Sequence, residues 1–191
     1  MNYLEYLVED FIRTEHRQQL ELQHYSIYKE NPKELINRIA WAITSEGKTH
    51  SHQRRITKSA KLELEKHLIK NFESIKGIRK FEDYLKLCRR IKGIGPLTSY
   101  DVATRLGICF NILPDKVYLH CGTRTGAKNL LGDKIKGRRF LYLSELPKEL
   151  HCLTPLQIED FLCIYKNLFL DINMTKSPCI PKRPSYQPKV C

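Results

Sequence analysis

Three groups of residues in this chain have the types and spacing to do chemistry. In the first, Ile91-Lys92-Gly93-Ile94-Gly95-Pro96-Leu97-Thr98-Ser99, two glycines separate a basic helical stretch from a second apolar-periodic stretch. The pattern predicts helix, tight turn, helix. Glycines let the backbone turn where a side chain would clash. The first N–H groups of the helix that follows stay unbonded at the positive end of its dipole, a ready site for a phosphate oxygen. Gly93, Ile94 and Gly95 are therefore candidate contacts to a nucleic-acid backbone, with Arg90 and Lys92 adding charge. In the second group, the loop Gly47 to Arg55, basic, amide and hydroxyl groups alternate, which makes Lys48, Arg54 and Arg55 candidates for phosphate contacts; a solvated loop is the other reading. The third is Tyr118-Leu119-His120-Cys121-Gly122-Thr123-Arg124-Thr125-Gly126, a poor helix former that packing or function must support. His120 and Arg124, four apart, share one helical face. Tyr118 and His120 are candidates for a pocket and Arg124 for a nucleic-acid contact, against a packed core helix with His120 bonded inside. Gly122 and Gly126 would let another backbone come close.

Metal chemistry has weaker support. His50 and His52 are two apart with no cysteine or acid beside them, a poor zinc pattern. His120-Cys121 and His151-Cys152 make four ligands only if the fold joins them, so no metal or other cofactor is expected. The seven cysteines include no Cys-x-x-Cys pair, which points to reduced thiols rather than a disulfide framework.

Charge supports the first group. The chain of 191 residues carries a formal net charge of +12, unevenly placed. Residues 1–46 hold five basic and eight acidic residues, for −3, whereas residues 86–139 hold twelve basic and three acidic, for +9. Such a local field favours a polyanion and speeds its capture. A second basic stretch, Lys134, Lys136, Arg138 and Arg139, surrounds Gly137.

The elements that would position these residues read as helices. Leu4, Leu7, Val8, Phe11 and Ile12 mark a buried helical face. Asn31-Pro32 caps and starts a helix with Leu35, Ile36, Ile39, Ala40 and Ile43 on its stripe. A third, over about 59–71, presents Leu62, Leu64, Leu68 and Ile69. The hairpin helices run over 81–90 and 97–106, with Gly107 as C-cap; Pro114 opens a helix to about Leu131. Thr154-Pro155-Leu156-Gln157 has the residues of a capping box for a helix reaching about Phe169, and Arg139 to Leu143 is the one short strand candidate. The expectation is an all-α protein: a helical domain over 1–171, the hairpin motif at 81–106, and a Pro-rich extended or disordered tail at 172–191. The chain is long enough for one good core or for two small lobes. No apolar run is long enough for a membrane span, and the start lacks a secretory pattern. A cytoplasmic or nucleoid-associated location is expected.

From Cys88 to Arg124, about a fifth of the chain, the sequence resembles the helix-hairpin-helix (HhH-GPD, endonuclease III-like) DNA glycosylase superfamily. The resemblance implies double-stranded DNA as partner, a role in base-excision repair, and a catalytic aspartate about 22 residues beyond the first hairpin glycine. Asp115 stands at that distance, in Leu113-Pro114-Asp115, and Arg124 nine residues later matches an arginine of several members. In that role Asp115 would assist N-glycosidic cleavage of a flipped base. Three departures bear on the chemistry. Leu97 occupies the position of the lyase lysine, and Lys116-Val117 replaces the usual Thr and His or Asn. The cysteine spacing does not fit an iron–sulfur cluster. The readings left open are a DNA-binding module, a monofunctional DNA N-glycosylase using Asp115, and a non-catalytic helical interaction domain. The alternative for Asp115 is a helix-start residue favoured by the dipole.

Overall fold

The computed structural model describes residues 2–14, 21–50 and 53–172. The Pro-rich stretch beyond 172 lies outside the described residues, as do His52 and the polar segment 15–20. The described chain is mostly helical, with one two-stranded antiparallel ribbon. Where the sequence reading has a single helical span over 1–171, two compact units appear: residues 1–15 with 115–191, and residues 16–114.

The first unit is built on α1 (Tyr3–Thr14), whose Leu4, Leu7, Val8 and Phe11 are buried. Phe11 meets Phe161 and Tyr165 edge-on, at centroid distances of 5.6 and 6.4 Å. Both rings belong to the end of the chain that forms α8 (Pro155–Ile164) and the turn after it. The predicted capping box is present: the Gln157 N–H donates to Thr154 Oγ1 at 3.3 Å and the Thr154 N–H to Gln157 Oε1 at 2.8 Å. α8 ends at Ile164 rather than Phe169; a short α9 (Phe169–Ile172) follows. α7 (Cys121–Leu131) packs on α8 so closely that a Cβ on Gly126 would lie 1.9 Å from the Leu162 carbonyl oxygen. Gly126 therefore does bring another backbone close.

The second unit holds a 3-10 turn (His24–Tyr28), α2 (Pro32–Trp41), α3 (Lys58–Lys70), α4 (Phe72–Lys76) and the hairpin helices α5 (Phe81–Arg89) and α6 (Pro96–Phe110). Asn31 caps α2 by accepting from the Glu34 N–H at 3.2 Å, and Thr57 caps α3 through the Ala60 N–H at 3.3 Å. Leu35, Ile36 and Ile39 of α2 and Leu64 and Leu68 of α3 are fully buried.

Several expectations are corrected. Pro114 opens no helix: Val117–Tyr118 forms β1, paired with β2 (Phe140–Leu141), and the helix begins at Cys121. Pairing buries Val117 and Leu141 against the core, and β-branched Val117 suits a strand. Gly107 is no C-cap. It lies inside α6, where a Cβ would sit 2.4 Å from the Ile112 carbonyl oxygen, and left-handed Asn111 closes the helix. Ile12, read as part of a buried face, is exposed at the margin of its stripe, as are Leu62 and Ile69 on theirs. Cys163 is disulfide-bonded, against the reading of thiols throughout.

Gly126→Ala has no space to relax into, because the obstacle is backbone. The expected cost is about 3 kcal/mol, lowering Tm by roughly 2–4 °C per kcal/mol. A melting curve that matches wild type would mean α7 and α8 are not in this contact.

Candidate nucleic-acid interface

The hairpin begins where α5 runs out. After Arg90 the Ile91 N–H bonds the Cys88 carbonyl at 3.2 Å and the Ile94 N–H bonds the Ile91 carbonyl at 3.1 Å, giving a tight turn. Gly93 takes φ +89°, a conformation that a side chain would strain. Cys88, Ile91 and Ile94 bury their side chains under the turn, and the Ile94 N–H, proposed from sequence as a phosphate contact, is already bonded to the Ile91 carbonyl. Gly95 is the N-cap residue of α6, and no side chain caps this helix start. Ser99, fully buried, instead ties back to the Gly95 carbonyl by both its N–H and its hydroxyl, at 2.9 Å each. The small residues Ser99, Val102 and Ala103 are completely covered, which lets α5 and α6 approach closely. Arg89, Arg90 and Lys92 are exposed around the turn. A Cβ on Gly95 would meet nothing within 4 Å. The fold thus has no need of glycine there, and the open space beside an uncapped helix start suits an incoming phosphate.

The second group is partly joined to the first. A Cβ on Gly93 would lie 3.0 Å from Ala60 Cβ, so the turn rests on the first turn of α3. The segment leading into that helix carries exposed Arg54, Arg55 and Lys58. Lys48 belongs to a separate turn, closed by the Ile43–Thr49 bridge, where its ammonium pairs with Glu46 at 3.0 Å.

The third group lies in the other unit and is differently employed. Arg124 donates to the carbonyls of Leu119 at 3.2 Å and Arg138 at 2.6 Å, clamping the two strands together at one end of the ribbon. Tyr118 is half-buried on the outer side of β1. His120 reaches Glu159 Oε1 through Nε2 at 3.4 Å, and the Thr123 hydroxyl donates to the same oxygen at 3.0 Å. Asp115 occupies a bend outside any helix, its side chain 71% exposed, with the Lys116 ammonium 3.8 Å away. The helix-start role open to Asp115 is thereby removed. That place belongs to His120 and to Cys121, whose φ of +38° is uncommon for a residue with a side chain.

Sequence reasoning missed the buried charges. Glu159 sits in the most apolar helix of the chain, and that mismatch was the available signal. Arg105, 5% exposed, lies over the Tyr25 ring at 5.6 Å. Burial raises the Tyr25 hydroxyl above its ordinary value, and the neighbouring guanidinium opposes the shift. Lys61, also buried, stands 5.6 Å from the Trp41 ring centroid, and its desolvation lowers its proton affinity. Among the described residues no group of three or more His, Cys, Asp or Glu could hold a metal ion. His151 Nε2 lies 3.1 Å from the Leu146 carbonyl oxygen, and the Cys152 thiol donates to the Glu149 carbonyl at 3.4 Å. No helix among the described residues is long and apolar enough to cross a membrane.

Comparison of the chain with protein-family models, with curated proteins and with solved structures finds no match.

The thiols give a test of this packing. Burial pushes Cys88 up to about 12 and Cys109 up to about 11, whereas Cys121 and Cys152 are exposed. Brief alkylation of the native protein at pH 8, mapped by peptide mass, should mark Cys121 and Cys152. Cys88 and Cys109 should react only in denaturant. Early labelling of Cys88 would mean that the two hairpin helices are not closed over it.

Proposed function

We propose that this chain is a DNA-binding protein that holds the phosphate backbone of a duplex at the hairpin, in the manner of the helix-hairpin-helix glycosylases its sequence resembles. The observation that carries the reading is the uncapped start of α6 at Gly95, open to solvent and ringed by Arg89, Arg90 and Lys92. Unbonded amides and clustered cations at one place are what a phosphate diester needs. Arg54, Arg55 and Lys58, carried by the segment leading to α3, extend the same charge.

Binding without cleavage is the favoured form. A carboxylate that stabilises an oxocarbenium-like sugar works best in a dry, preorganised surrounding. Asp115 is largely hydrated and has Lys116 beside it, and Arg124 spends its guanidinium on two carbonyls. The second reading, a monofunctional N-glycosylase, keeps one specific support, the spacing from Gly93 to Asp115.

Duplex affinity should fall steeply with salt, by close to 0.9 in log K per log unit of salt for each phosphate neutralised. Gly95→Ala should melt like wild type yet bind duplex roughly tenfold more weakly, a loss of about 1.4 kcal/mol. Gly93→Ala should in contrast destabilise the fold itself by about 1–3 kcal/mol. Duplex binding indifferent to both salt and Gly95→Ala would remove the proposal. For cleavage, base release from oligonucleotides carrying varied lesions is the measurement, with wild type beside Asp115→Asn. None is expected from either. Release by wild type that Asp115→Asn abolishes would establish the enzyme instead.

A further inference from the structure

The β1–β2 ribbon presents a surface that the hairpin reading does not use. Its register sets Val117 opposite Leu141 and Tyr118 opposite Phe140. Successive strand residues point to opposite faces. Val117 and Leu141 go into the core, so Tyr118 and Phe140 lie on the outer face, both half-buried. The chain stays extended through Tyr142, which returns to that face 47% exposed, its ring edge-on to Phe140 at 5.4 Å. The Lys116 ammonium lies 4.8 Å from the Phe140 centroid and 5.9 Å from that of Tyr118. Three aromatic rings and a cation therefore share one small face.

Two features hold this face in shape. The Tyr142 N–H donates to Glu145 Oε2 at 2.8 Å, and Arg138 grips both oxygens of the same carboxylate at 2.7 and 2.8 Å. These bonds, the one from the Tyr142 N–H first, hold the Glu145 carboxyl below its ordinary value. The backbone under Tyr142 is thus fixed before anything binds, which lowers the entropy lost on binding. The surroundings are cationic. From 116 to 142 the chain has seven lysines and arginines against one acid, Asp133. Arg124 and Arg138 are engaged internally, while Lys134, Lys136 and Arg139 are exposed.

An exposed, preorganised ring on a stretch of chain rich in exposed cations suits one class of partner. We propose that the ribbon face is a stacking platform for an unpaired nucleotide of a single-stranded nucleic acid, with Tyr142 stacking on the base and Arg139, Lys136 and Lys134 following the phosphates. Aromatic side chains accept any base, because every base has a π-face, and cations alongside track the backbone. A paired duplex keeps its base faces covered, so this surface and the hairpin select different nucleic-acid forms.

The test uses the full chain and a fluorescein-labelled oligothymidylate containing one 2-aminopurine, at fixed salt. Tyr142→Ala should bind the single strand about tenfold more weakly, with its salt slope unchanged, while Tyr142→Phe keeps the wild-type affinity. Quenching of 2-aminopurine on binding should be present in wild type and Tyr142→Phe and absent in Tyr142→Ala. Arg139→Gln should lower the salt slope and keep the quenching. Tyr142→Ala should leave duplex binding unaltered and Gly95→Ala should leave single-strand quenching unaltered, so the two proposals fail independently. Equal single-strand affinity of Tyr142→Ala and wild type, or binding without quenching, overturns the platform. So does self-association through Tyr142 in place of strand binding, which would make the face a protein interface.

Discussion

The most consequential constraint in the hairpin unit is the close approach of Gly93 to Ala60. Its left-handed backbone turns α5 into α6, and the missing Cβ spares a tight 3.0 Å contact with Ala60 as that turn settles on the first turn of α3. Once it is seated, Ile91 and Ile94 are committed inward and the following Gly95 is committed outward. The uncapped start of α6 is then displayed rather than covered. The two glycines do separate work. Gly93 is required by the fold, whereas a Cβ on Gly95 would meet no protein atom within 4 Å, so that side of the residue is open to whatever approaches it.

Charge looks different once its owners are placed. The strong excess over residues 86–139 counts every cation alike, but the fold divides them. Arg105 is buried on Tyr25, Arg124 holds carbonyls, Arg138 holds Glu145, Lys86 pairs with Asp83, and Lys116 lies over Phe140. Apart from Lys86, whose surface pair leaves it exposed, these contribute to architecture more than to capture, since burial or bonding keeps their charged groups from a phosphate. Besides Lys86 and Lys128, those left exposed form two sets. Arg89, Arg90 and Lys92 surround the hairpin turn in one unit, and Lys134, Lys136 and Arg139 flank the ribbon in the other. One sequence-level field thus resolves into two local ones, each beside a different contact chemistry.

What was legible in the sequence follows from the range of the forces involved. Helix starts were readable because capping is local: Asn31-Pro32 and Thr154-Pro155 act within four residues, and both helices begin there. The hairpin was readable for the same reason, with Ile94 bonded to Ile91 and Ser99 to Gly95 inside a short span. The ribbon was not. Val117 pairs with Leu141 across a long intervening segment, and nothing local to either tells one strand of its partner. Glu159 beside His120 and Thr123, and Arg105 over Tyr25, were hidden likewise, because a buried charge is explained by a neighbour distant in sequence.

Asp115 shows why spacing alone does not establish chemistry. A count of residues from the first hairpin glycine is informative if the chain between follows the same path, ending at a helix start that would orient the carboxylate. Here the residues after Asp115 are spent on a strand, and the helix begins only at Cys121. Arg124 moves with that shift, onto the carbonyls that close the ribbon. The stretch that would have supplied an aspartate at a dipole's positive end instead builds a small β platform with its aromatic side outward. Pairing β1 with β2 is thus the event that separates this chain's local architecture from the one its spacing suggests. A lost helix start and a gained stacking surface are two consequences of the same hydrogen bonds.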